Sequence, residues 1–218
     1  MVSSETIRPV EDIYPTPLRI AARLISYLFH PLFIPVYVIL FMLYEVRLFT
    51  DKTEWQKSLV LIQFIVSYTL LPLVTILLMK ALGFIKSVYL KTQKDRILPY
   101  VVCQVFYFWA WYVSKNVGYP KIVVMFTLAV FLAAALGLIL NSYLKISMHT
   151  ISLGVVCALL LIGGMLSSHN YGPYIAIAFL ITGLTCTARL IDSNHSTKEV
   201  YIGFFAGAMA QVIAYMFV

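Results

Sequence analysis

The stretch IVVMFTLAVFLAAALGLILN, residues 122–141, runs for twenty positions without a charged side chain. About 20 apolar residues in helical form cross a hydrocarbon core of about 30 Å. Backbone groups in lipid must bond within their own segment, so a helix is the default. The same reading extends in both directions. Further apolar segments lie at about 28–46, 59–79, 97–114, 150–167, 174–189 and 200–218, each long enough or nearly so to cross. Turn signals fall in the gaps, at Asn116-Val117-Gly118-Tyr119-Pro120 and Ser168-His169-Asn170-Tyr171-Gly172-Pro173. Pro31, Pro35 and Pro72 imply kinks or tight helix starts. The expected fold class is all-α, a polytopic transmembrane helical bundle of six or seven spans with short loops.

Composition agrees. Of 218 residues, 61% are hydrophobic and 11% charged, where a soluble domain carries roughly 25% charged residues. A water-soluble globule is excluded. Residues 1–27 form an N-terminal segment in which 18–27 read as an interfacial helix, and 28–218 form the transmembrane domain. The N-terminal segment mixes acids, Arg8 and three prolines, so a cleaved signal peptide is not expected. The net charge of +7 is spread over short loops, and nothing resembles a nucleic-acid module. Phospholipid headgroups and phosphorylated substrates are the expected partners, with no nucleic acid. Cys103, Cys157 and Cys186 lack metal-ligand or redox spacing and read as small buried hydrophobes. Gly203 and Gly207, four apart, suit close helix packing. Gln104 and Asn141 suit hydrogen bonds between spans.

Three polar clusters interrupt the apolar pattern. They are Lys91-Thr92-Gln93-Lys94-Asp95-Arg96, Lys145-Ile146-Ser147-Met148-His149, and the run from Arg189 through Asp192 and His195 to Glu199. Two spans separate the first cluster from the second, and two more separate the second from the third. All three therefore open on one face of the membrane, as a single site requires. Basic residues number eleven on that face against five on the other, which favours a cytoplasmic site by the positive-inside rule. Setting aside five with chemical roles leaves six against five, so the side stays open.

Taken alone, each cluster has an ordinary explanation. Lys91 and Lys94 suit a juxtamembrane loop on lipid headgroups, Ser147 suits a helix cap, and His195 with Glu199 suits a solvated loop. His30 and His169 read as interfacial. The chemical explanation is that Glu199, four residues on from His195, fixes one ring nitrogen and frees the other as a nucleophile. Arg189 offers a planar fork of donors to phosphate oxygens. Ser147 and His149 stand where a helix start presents free amides to an anion. Arg96, at a span boundary, needs a partner or a task.

Considered together, the clusters resemble the three motifs of the type 2 phosphatidic acid phosphatase superfamily, membrane relatives of the vanadium haloperoxidases. The resemblance covers about 91–207. The third motif is similar over Ala188-Arg189, His195 and Glu199, with Glu199 where Asp is usual and Ala188 where Ser is usual. In the second, Ser147 and His149 are kept, and the Pro and Gly are not. In the first, Arg96 is kept, and either Lys91 or Lys94 takes the lysine place. This resemblance implies a divergent, metal-independent and cofactor-free lipid phosphatase of the cell membrane. His195 would form a phosphohistidine, Glu199 would orient it, and His149 would protonate the leaving oxygen and then activate water. Arg96, Arg189, Ser147 and Lys91 or Lys94 would bind the phosphate. The alternative is a non-catalytic lipid-phosphate binder or transporter on the same bundle. A prenyl transferase is less favoured, since it would need Asp-rich segments that the chain lacks.

Overall fold

The computed structural model describes residues 14–85, 87, 93–167, 169–192 and 195–218. The chain is an all-α bundle. Helix α1 (Thr16–Leu28) is followed by α2 (Ile34–Leu40), which runs into a π-helical turn over Phe41–Glu45. One long span follows, built from α3 (Glu54–Phe64), a π-helical stretch Ile65–Leu70 and α4 (Leu71–Ala81). The rest are α5 (Gln93–Asn116), α6 (Lys121–Asn141), α7 (Met148–Leu166), α8 (Gly172–Asp192) and α9 (Thr197–Phe217).

Six of these are long and apolar enough to cross a bilayer, so this is a multi-pass membrane protein. The expected segment at 28–46 is helical only from Ile34 to Glu45. At 1.5 Å per residue that is about 18 Å, short of the hydrocarbon thickness. The physical cause is local. Pro31 and Pro35 lack backbone donors, so the chain turns at His30–Phe33 and enters the helix anew. The π-helical stretch before Pro72 follows the same logic, since a wider turn accommodates the missing donor.

The tightest helix pair is α7 with α9, and glycine makes it possible. A methyl group on Gly207 would collide with the carbonyl oxygen of Ile151, and one on Gly154 with that of Phe204. Gly203 packs against Thr150 at the start of α7 in the same way. Small residues at such a seam let backbones meet closely. Helices α5 and α6 are joined by polar contacts in both directions. Gln104 donates to the Phe131 carbonyl at 3.2 Å, and Asn141 donates to the Gln93 carbonyl at 2.9 Å. The cysteines are free, Cys157 buried and the other two half-buried.

Candidate functional site

Alternation of the spans sends α5, α7 and α9 away from the membrane face on which α4, α6 and α8 end. Three helix N-termini with their positive dipole ends thus collect at one end of the bundle, a setting that favours an anion. The polar clusters of the sequence lie there. Arg96, one turn into α5, is buried at 7% exposure and donates to the Ile146 carbonyl at 2.8 Å. That bond ties the first cluster to the second.

The entry to α9 explains the pattern of the third cluster. Ser196 caps the helix, its Oγ accepting from the Glu199 amide at 3.3 Å, while Glu199 reaches back to the Ser196 amide at 3.1 Å. The same carboxylate oxygen accepts from Nδ1 of His195 at 2.9 Å. A carboxylate can only accept, so Nδ1 carries the proton and Nε2 keeps its lone pair. One residue thus serves both the helix start and the tautomer of the imidazole. The His195 side chain is only 2% exposed. Burial, with Arg189 and Arg96 adding to it and Glu199 opposing, holds its pKa well below the ordinary 6.5. The ring is neutral where a nucleophile must be.

At the start of α7, Ser147 occupies the cap position without capping through its side chain. The residue is fully buried, and its Oγ has no hydrogen-bond partner among the described residues. A buried hydroxyl left this way is costly. His149 is fixed from outside the clusters. Its Nε2 donates to the Ser26 carbonyl of α1 at 3.0 Å, which leaves Nδ1 as the acceptor.

His149 and His195 line a cavity of about 990 Å³, whose lining does not include Ser147 or Glu199. At its polar end stand Arg96, Lys145, His149, Arg189 and His195, with Arg19 and Arg23 from α1. Asp192, which has no place in the family's motifs, pairs with Arg23 at 3.2 Å. From there the cavity follows α5 inward. Arg96, Tyr100, Cys103 and Tyr107 fall at i, i+4, i+7 and i+11, one face of a helix descending about 16 Å. Phe126, Val130 and Ala133 of α6 form the facing wall, and Leu73 and Leu77 of α4, both exposed on the outer surface, form its edge. The cavity is cationic at the membrane face and apolar within.

No protein-family model, curated protein or solved structure matches the chain. What the site does has to be read from its own chemistry.

Of the residues expected from sequence, Arg96, His149, Arg189 and His195 line one cavity, Glu199 is bonded to His195, and Ser147 is buried at the head of α7. Lys91 lies outside the described residues. Lys94 is exposed on the first turn of α5 and does not line the cavity. Lys145 does. Its amine is lowered by burial first, then by Arg96, against the pull of Glu199. Lys145, one of the five basic residues set aside as having chemical roles, held no motif position in the sequence. His30, read as interfacial, lies inside the cavity with its ring 5.2 Å from that of His149. No spacing rule connects residues so far apart in the chain.

Proposed function

We propose that this chain is a membrane lipid phosphatase, a divergent member of the type 2 phosphatidic acid phosphatase superfamily. The observation that carries the proposal is the union, in one cavity, of a cationic end and an apolar wall with a neutral imidazole whose proton is held away from the phosphate. A phosphorylated lipid of the cell membrane has those two halves. Phosphatidic acid, phosphatidylglycerol phosphate, polyprenyl diphosphates and lipid A phosphates all do.

Nε2 of His195 attacks phosphorus, the bond to the lipid oxygen breaks with its electron pair on that oxygen, which takes a proton from solvent at the polar end and leaves as the alcohol, and a phosphohistidine remains. Arg96, Arg189 and Lys145 surround the oxygens on which charge grows, interactions that speed reaction when they strengthen in the transition state. Nδ1 of His149, the unprotonated edge in this structure, suits activation of the water that releases phosphate in the second step. Protonation of the leaving oxygen by His149, as the family resemblance implies, would require the imidazolium form.

The direct test is release of inorganic phosphate from a lipid panel by the purified protein, with and without a chelator. Release unaffected by EDTA supports the proposal. Binding of the lipid without release supports the non-catalytic binder instead. Lys145→Met is expected to lower turnover by about 10²-fold through loss of one charge on the transferring phosphoryl group. A variant with wild-type kcat would remove Lys145 from the site.

The pH dependence has a definite sign. With His195 lowered from 6.5, protonation removes the nucleophile only at a lower pH than an ordinary imidazole would. After allowance for substrate ionisation near pH 6, kcat/KM is expected to hold its plateau through pH 6.5 and to fall below it. A plateau already lost by half at pH 6.5 contradicts this assignment, since kcat/KM reports the free enzyme.

A further inference from the structure

We infer that His30, in the turn between α1 and α2, is a third functional imidazole of this site, donating its Nε2–H to an oxygen of the bound phosphate. The inference rests on the phosphatase reading above and adds to it a residue outside all three sequence clusters.

The tautomers of three imidazoles single out His30. Nδ1 of His30 accepts from the Leu32 amide at 3.3 Å, so the proton of the neutral ring sits on Nε2, at the far edge. The ring meets that of His149 nearly at right angles, 85° between planes, and its side chain lines the cavity with Arg189 and His195. The other two imidazoles have committed their N–H groups, His195 to Glu199 and His149 to the Ser26 carbonyl. Of the three imidazole N–H groups at this cavity, that of His30 is the one left to meet a ligand. The turn itself uses only Nδ1, so a structural role leaves that donor unexplained. Being neutral, it also adds no further charge beside Arg189 and Arg96. A preorganised neutral donor contributes through charge developing in the transition state.

This brings α1 and its turn into the site. Ser26 sets the tautomer of His149, Arg23 holds Asp192 three residues before His195, and His30 completes the cradle.

Two substitutions separate donation from folding. His30→Asn keeps a short acceptor for the Leu32 amide and removes the donor from the position of Nε2. His30→Gln extends an amide N–H toward the place of Nε2. The full-length protein is assayed in detergent micelles with dioleoyl phosphatidic acid, and inhibition is measured with orthovanadate, which mimics the five-coordinate state, and with inorganic phosphate. His30→Asn is expected to lose about 10²-fold in kcat and in vanadate affinity, with KM and phosphate inhibition within about threefold of wild type. His30→Gln is expected to recover at least about tenfold of that loss. Wild-type kcat in His30→Asn overturns the inference. So does an equal loss of phosphate and vanadate affinity accompanied by a lower thermal midpoint, which marks a structural role. If the wild-type protein neither releases phosphate nor binds vanadate, the phosphatase reading itself fails and His30 falls with it. An active wild type with an equally active His30→Asn sinks this inference alone.

Discussion

Replacing His195 with alanine is expected to reduce phosphate release by about 10⁴-fold or more, since loss of a covalent nucleophile leaves only binding and electrostatic assistance. The fold should be untouched, because Ser196 and Glu199 cap α9 without the imidazole. Glu199→Gln makes the sharper test. Glutamine can still complete the capping box, so helix α9 should start as before. Its amide can also donate to Nδ1 of His195, which would move the ring proton to Nε2 and take away the attacking lone pair. A loss of about 10²–10⁴-fold with unchanged thermal stability is expected, as for carboxylates that fix a catalytic histidine's tautomer. Wild-type turnover in Glu199→Gln would show that Glu199 serves the helix start alone.

The second large effect is structural. Gly207→Ala puts a methyl group into the backbone of α7 at Ile151, and Gly154→Ala does the same at Phe204. Neither neighbour is a side chain that can rotate away, so the two helices must separate. Overpacking of this kind costs about 1–3 kcal/mol or more. The site suffers as well, because α7 carries Ser147 and His149 and α9 follows His195. A lower thermal midpoint with activity down by about tenfold or more is expected, since small displacements of reacting groups are costly. Gly183→Ala is the control, since a methyl there meets nothing within 4 Å.

The spans were legible because hydrophobic runs are long and the bilayer fixes their length. Crossing parity followed from them and correctly put Arg96, His149 and His195 at one end. Gly203, Gly207, Gln104 and Asn141 behaved as their chemistry suggested, in a close seam and in interhelical hydrogen bonds. The first apolar segment was harder, because Pro31 and Pro35 restart the helix in a way that hydrophobicity does not register. The least legible feature was the contribution of α1. Ser26 acts through a backbone carbonyl, which every residue has, and His30 enters the cavity because of how α1 docks on α8 through Ala22, Ala188 and Ile191. Such a contact is set by packing between distant segments and leaves no local pattern. Lys145 held no motif position for a related reason, since the cavity selects a lysine by depth and not by interval along the chain.

The most direct measurement is the chemical location of the phosphoryl group during turnover. The protein is mixed briefly with its lipid substrate, quenched in alkali, where phosphohistidine survives, and mapped by peptide mass spectrometry. The account requires the phosphoryl group on His195, its level rising in His149→Ala if that residue serves the hydrolytic step. Steady release of phosphate with no label on His195, or with label on another residue, contradicts it.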